Sequence, residues 1–339
     1  MASEPVPIAT DQAPPPRRRL LSTLGKVAVT VALYAILFAY KLDLHKFLDS
    51  LRAANLAWVA LGIIVYAGGQ WLSAWRWWLL LRPVELQVRY LRMVAFYFIG
   101  MFFNFFLPTI VGGDAVKAIL LSRETGAPAR STMSVFMERN VGLLALLTIA
   151  TAAAGFAPTV EVKGISLLHL ALLLFAGFIA ANLVLADRRA YHLIDYLVAL
   201  TPLGRLRSRA SSLYDAVVPY RARRWRGVVA AAIVQSFLFQ AIVILVVFLN
   251  AKALALDVPV AALAVFVPLI SLAGMLPSMN GLGIRDVLYV LLLGRIGVPA
   301  DVAFALAFLY FVVTFAASLP GGVVYALRRG PGIRSERTT

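Results

Sequence analysis

Residues 107–126 read LPTIVGGDAVKAILLSRETG and follow the aromatic run FYFIGMFFNFF at 96–106. The aromatic run suits lipid, yet Pro108, two glycines, Asp114 and Lys117 come directly after it. Leu91–Leu107 reads as an apolar helix interrupted by Pro108 and the glycines, and Ala115–Arg123 as a second helical run. Neither fits as a full crossing of the ~20 residues that a bilayer needs. The expectation is a hairpin that enters the membrane and leaves on the same side. Non-helical backbone at that depth is tolerated only where protein or water satisfies it.

The rest of the chain sets that hairpin in a membrane. Of 339 residues, 61% are hydrophobic and 14% charged, against roughly 25% charged in soluble domains. Leu20–Tyr40, Leu56–Leu81, Ser131–Gly155, Gly164–Ala186, Gly227–Asn250 and Asp301–Leu327 read as full spans. Pro259–Leu276, broken by PSMNGLG at 277–283, is a second interrupted region. The fold class expected is therefore an all-α polytopic membrane protein with six full transmembrane helices and two re-entrant hairpins. Residues 1–19, Pro-rich and polar, are expected as a disordered cytosolic tail, 20–327 as the transmembrane domain and 328–339 as a second cytosolic tail. Leu20–Tyr40 is too long for a signal-peptide core, and no small-residue cleavage site follows it.

Net charge is +16, with 32 basic and 16 acidic residues. The basic residues sit in short loops between apolar spans, so the positive-inside rule accounts for them without nucleic acid. With both hairpins re-entrant, the loops on the side of the termini hold twenty-one Lys and Arg and the opposite loops six. That bias places both termini in the cytoplasm and has the two hairpins entering from opposite sides. Their sequences also match: LPTIVGGDAVK at 107–117 with LPSMNGLGIRD at 276–286, and TGAPA at 125–129 with IGVPA at 296–300. Similar elements of opposite direction point to an inverted repeat, a plan common in transporters. Between them, residues 187–227 carry nine arginines. Within this loop YHLIDYLVAL, residues 191–200, is expected as an amphipathic helix on the inner surface. Trp71, Trp75, Trp77 and Trp78 around Arg76 read as an interfacial belt.

Five basic residues lie outside the loops. Lys26 and Arg76 are near enough to span ends to snorkel; Lys117, Arg139 and Arg285 are not. Asp114, Glu138 and Asp286 lie at comparable depth, giving a neutral set of six. Each such group costs roughly 2.5–3.5 kcal/mol on insertion scales, so the six need one another or a polar ligand. Asp114 and Lys117 are spaced i,i+3 and share a helix face, and Asn140 completes a polar ERN girdle with Glu138 and Arg139. Gly112 and Gly113, and Gly281 and Gly283 after Asn280, precede helices whose first N–H groups can hold an anion. A structural reading stands beside this one. Asp114 and Asn280 suit N-caps, and Glu138–Arg139 and Arg285–Asp286 suit ion pairs tying helices together.

No cofactor or metal is expected. The chain has no cysteine, and His45, His169 and His192 lack ligand spacing. No strand precedes GLG at 281–283, as a dinucleotide fingerprint requires. No nucleophile with a base is recognisable, so an enzyme is not expected either.

GGDAVKAILLSRETG, SVFMERNVG at 134–142 and PSMNGLGIRD at 277–286, in that order, closely resemble the flippase-like transmembrane domain of bacterial lysylphosphatidylglycerol synthases. The resemblance covers about residues 20–330. It implies a multi-pass protein of the bacterial cytoplasmic membrane that moves a polar-headgroup lipid, either aminoacyl-phosphatidylglycerol or an isoprenoid- or hopanoid-type lipid. In two-domain relatives a separate soluble domain makes the lipid; with twelve residues after Leu327, the expectation here is a stand-alone member without that domain. The family commonly has Glu where Asp286 stands, and Gly-Gly where Asn280-Gly281 stands. In the transporter reading Lys117, Arg139 and Arg285 hold phosphate, while Asp114, Glu138 and Asp286 meet amino or hydroxyl groups. The alternative is a non-transporting partner of a lipid synthase or glycosyltransferase, held through the Arg-rich loop.

Overall fold

The computed structural model describes residues 42–107, 112–156, 161–162, 165–186, 218–274 and 283–329. Pro108, Asn280, Gly281, the expected span Leu20–Tyr40 and the expected surface helix at 191–200 lie outside these residues. Ten helices are described: α1 Leu44–Arg52, α2 Leu56–Leu79, α3 Tyr90–Phe106, α4 Gly112–Thr125, α5 Pro128–Phe156, α6 Leu167–Ala186, α7 Arg226–Ala253, α8 Val260–Ala273, α9 Ile284–Gly294 and α10 Ala300–Arg329. A two-residue antiparallel ladder, Glu161–Val162 with Ile165–Ser166, precedes α6.

Local signals explain the ends. Asp43 accepts hydrogen bonds from the N–H groups of His45 and Lys46, and Asn55 accepts one from Ala57, so each caps the helix that follows. Pro128 opens α5, where its missing N–H costs no intrahelical bond. Gly126 after α4 and Gly297 after α9 both have positive φ, and each is followed two residues later by proline, Pro128 and Pro299. Left-handed turns of this kind favour glycine, so the matched GAPA and GVPA motifs make the same turn twice.

Helix lengths separate two classes. The segments Leu56–Val84, Pro128–Phe156, Arg223–Ala253 and Ala300–Leu327 are long and apolar enough to cross a membrane. The helices α3, α4, α8 and α9 have 17, 14, 14 and 11 residues, short of the ~20 that a crossing takes. Pairs α3–α4 and α8–α9 pack together. In the first pair Arg92 bonds Glu124 near one end, and Asn104 accepts from the Gly113 N–H (2.8 Å) near the other. The two helices are thus antiparallel, as expected of the opening stretch.

Packing repeats as well as sequence. Exchange α2 with α7, α3 with α8, α4 with α9 and α5 with α10, and the contacts map onto contacts. Thus α2–α3 answers α7–α8, α4–α5 answers α9–α10, α3–α10 answers α8–α5, and α2–α10 answers α7–α5. The pair α2–α7 maps onto itself and is antiparallel: Gly62, Gly69 and Arg76 face Asn250, Ile242 and Ser236 in turn. Each half has its own apolar core. Trp77, Met93, Phe96 and Leu121 belong to one, and Val247, Leu263, Tyr289 and Phe304 to the other. Outward faces are apolar too: Leu56, Leu91, Leu173, Val234 and Leu327 are exposed, as helices facing acyl chains require.

Two details were not expected. The short helix α1 docks Phe47 against Phe304 and Phe308, and the Asp43 N–H donates to Asp301 (2.6 Å). In the tryptophan belt, Trp71 and Trp75 are exposed as expected, but Trp77 is fully buried, its Nε1 donating to Ser134 Oγ at 3.1 Å.

Close approach in the α3–α4 hairpin rests on glycine. A Cβ on Gly113 would strike the Gly100 carbonyl and the Asn104 side chain, whereas one on Gly177 in α6 would meet nothing within 4 Å. Gly113→Ala is expected to cost ~1–3 kcal/mol through overpacking and to lower the thermal midpoint in detergent. Gly177→Ala is expected to leave the midpoint unchanged or raise it, since Ala gains up to ~1 kcal/mol over Gly within a helix.

Candidate functional site

The hairpin α3–α4, with α2 and α5, brings charged side chains together inside the protein. Lys117 and Asp114, one turn apart on α4, pair at 2.8 Å, as their spacing predicts. The Lys117 Nζ also reaches Glu138 Oε2 on α5 at 3.1 Å. The other Glu138 oxygen accepts from the Arg76 guanidinium on α2 and from the Tyr97 hydroxyl (3.3 Å). Asp114 Oδ2 accepts from Arg139, whose Nε lies 2.8 Å away. Among the described residues the outcome is a series, Arg139–Asp114–Lys117–Glu138–Arg76, of alternating sign.

Surrounding groups fix this series. Arg76 also donates to Ser236 Oγ on α7 (2.8 Å), and Ser236 returns its own hydrogen to the Ala232 carbonyl. Lys117 lies over the rings of Tyr97 and Trp77, 4.5 and 5.4 Å from the centroids, contacts that favour a desolvated ammonium. The Gly100–Gly113 approach lets Lys117 cross the hairpin, since a Cβ on Gly100 would press on its Cγ at 2.6 Å.

All five charged residues border one cavity of about 260 Å3. Its other walls are Tyr66 and Gln70 of α2, Gln240 of α7, Ser271 of α8 and Tyr310 of α10, with apolar Leu143, Leu146 and Val243 between them. Both halves of the molecule line it. Arg139 keeps 37% of its side chain accessible and the other four 10% or less, so the series runs from an accessible end at Arg139 to a buried end at Arg76.

The structure departs from the expected neutral set of six. Asp114, Lys117, Glu138 and Arg139 meet. Arg76, read as a snorkelling residue, is buried and joins the series, with Ser73 and Gln70 buried one and two turns before it. That polar stripe at helical spacing was the available signal. Arg285 and Asp286 form a separate pair at 3.1 Å, and neither is among the described residues lining the cavity. Asp286 also accepts the Gly283 N–H (3.0 Å), so it caps α9 and occupies the donor that was expected to hold an anion. Arg285 lies behind the cavity wall, its guanidinium covering the ring of the lining residue Tyr310 at 5.5 Å. Gly112 and Gly113 lie buried in the first turn of α4, and Asn104 takes the Gly113 N–H. Asn140 faces away and exchanges amide hydrogen bonds with Asn182 (2.6 and 3.4 Å), tying α5 to α6. Among the described residues, no group of three or more His, Asp or Glu side chains is placed to hold a metal.

A helical multi-pass membrane protein with a charged internal cavity is what fold and site define. The family model described as the lysylphosphatidylglycerol synthase TM region matches residues 24–322, and the chain belongs to that family. No curated protein matches the chain.

Removing one partner from a buried ion pair leaves an uncompensated charge and costs about 3–5 kcal/mol. Glu138→Ala is therefore expected to lower the thermal midpoint in detergent sharply. The double variant Arg76→Met/Glu138→Met removes one charge of each sign and is expected to recover most of the loss. With the single variants Arg76→Met and Glu138→Met, the double variant closes a cycle that measures the coupling of these two residues.

Proposed function

We propose that the protein carries a polar-headgroup, phosphate-bearing lipid across a bacterial cytoplasmic membrane without altering it chemically. The carrying observation is the cavity itself. Five ionised side chains border a polar hollow inside a protein whose outer faces are apolar. Intramembrane charges ordinarily mark a substrate pathway, and membership of the synthase TM family supports lipid as the substrate. A headgroup would enter beside Arg139 while its tails stay among acyl chains. Lys117 and Arg139 would meet phosphate, and Asp114 and Glu138 would hold those cations in place.

The topology that goes with this reading has six full crossings, two re-entrant hairpins and both termini in the cytoplasm. Its supports are the excess of basic residues on one side and the packing that repeats between α2–α5 and α7–α10. An inverted repeat with its site between the copies is the arrangement of many secondary transporters.

Purified protein in liposomes tests the proposal, with fluorescent phospholipid and a membrane-impermeant quencher to read headgroup exposure. Movement well above protein-free vesicles is expected. Arg139→Ala, at the accessible end of the series, is expected to slow it at least about tenfold, a barrier rise of ~1.4 kcal/mol or more, while the variant still inserts. Vesicles with and without protein that behave alike would leave the alternative, a non-transporting partner of a lipid synthase or glycosyltransferase.

A further inference from the structure

The seam between α2 and α7 holds buried polar atoms that the ion series leaves unused. Ser73 and Arg76 on α2 and Gln235 on α7 are each 4% exposed or less. Among the described residues, Arg76 Nε, Gln235 Oε1 and Ser73 Oγ have no hydrogen-bond partner; the Ser73 hydroxyl lies beside that of Tyr97. The other polar groups of Arg76 and Gln235 are committed. Arg76 bonds Ser236 and Glu138 through its terminal nitrogens, and Gln235 donates an amide hydrogen to the Leu72 carbonyl. A carbonyl can only accept, so that bond fixes which end of the Gln235 amide is nitrogen and leaves the oxygen over.

The bonds already made bring these three atoms to one place. Leu72 and Arg76 are one turn apart on α2, and their partners Gln235 and Ser236 are adjacent on α7. Ser73 follows Gly69 by one turn, on the side of α2 that meets Phe239 and Ile242. The Arg76 guanidinium stands 6.0 Å from the Phe239 ring, one turn along α7 from Gln235. A buried donor or acceptor without a bond costs more than a made bond returns. Chemistry then specifies the occupant. Arg76 Nε can only donate, Gln235 Oε1 can only accept, and the Ser73 hydroxyl does either. An anion would face the Gln235 oxygen, and a cation would face the guanidinium. A neutral molecule that both accepts and donates suits all three, and buried water typically makes about three such bonds. It has a route in, because Arg76 and Phe239 also border the polar cavity.

We propose that α2 and α7 hold one bound water here, which accepts from Arg76 Nε and donates to Gln235 Oε1 and Ser73 Oγ. Its ligands come from both halves of the molecule, so it is a second link beside the direct Arg76–Ser236 bond. A water can stay on Arg76 while its hydrogens turn to new acceptors. The guanidinium therefore keeps a partner if α7 shifts against α2. The site follows from the packing of these two helices and holds whatever the cavity carries.

A crystal structure of the full-length protein grown in a lipid mesophase, at a resolution that shows ordered water in the cavity, tests the site. One water peak within about 2.7–3.2 Å of all three atoms is expected. The same map of Gln235→Leu is expected to lose that peak while Arg76 stays on Glu138. Ser73→Ala, which removes only a hydroxyl, is expected to weaken the peak and serves should the first variant fail to fold. A native map with ordered water in the cavity but no peak at this place would overturn the proposal. So would a protein atom or an ion in that position, or a peak that a folded Gln235→Leu or Ser73→Ala variant leaves unchanged.

Discussion

A carboxylate shared between two cations is the interaction on which the rest depends. Each ion moved out of water costs several kcal/mol even after relaxation, and a single buried pair often fails to offset that. Here Asp114 and Glu138 each serve two cations, and Lys117 serves two carboxylates. Every interior member of the series therefore has an opposite charge on both sides. This works only if α2, α4 and α5 keep one register, so that residues from three helices meet within hydrogen-bond distance. The Gly100–Gly113 approach, the Ser134 acceptor for Trp77 and the Ser236 acceptor for Arg76 are the contacts that hold this register.

Much of the fold was legible, and for identifiable reasons. Apolar runs gave most helices to within a few residues, and Pro128, Gly126 and Gly297 marked turns that the structure makes. The break at Pro108 and the glycines separated α3 from α4 because a chain this apolar has no other cause to carry charge there. Less visible was α1, whose docking depends on Phe304, Phe308 and Asp301, more than 250 residues away in sequence.

The site was half legible. Local spacing revealed Asp114 with Lys117, because i,i+3 partners share a helix face whatever lies around them. It did not reveal which helices face one another. Arg76 stands among tryptophans that resemble an interfacial belt, and only the packing of α2 on α5 and α7 turns it inward. Arg285 and Asp286 show the converse. Their charges look equivalent to the first set, yet these adjacent residues pair with each other and Asp286 caps its own helix. Asn140 follows Glu138 and Arg139 in sequence but points elsewhere on the helix, since neighbours in a helix lie about 100° apart.

The repeat and the charge pattern obey different symmetry, and that difference has a mechanical consequence. Packing treats the two halves alike, from the self-paired α2–α7 contact outward. The ion series does not: Arg76, Asp114, Lys117, Glu138 and Arg139 all belong to α2–α5, whereas Gln240, Ser271 and Tyr310 come from α7, α8 and α10. A rigid shift of one half against the other would change the shape of the cavity and move its neutral wall. It would break the Arg76–Ser236 hydrogen bond but none of the ion pairs in the series. The ion pairs of the series stay inside one body, and the contacts between bodies include neutral acceptors, Ser236 for Arg76, the Leu72 carbonyl for Gln235 and the Ala253 carbonyl for the Asn55 N–H, so reshaping the cavity need not break a pair in the series.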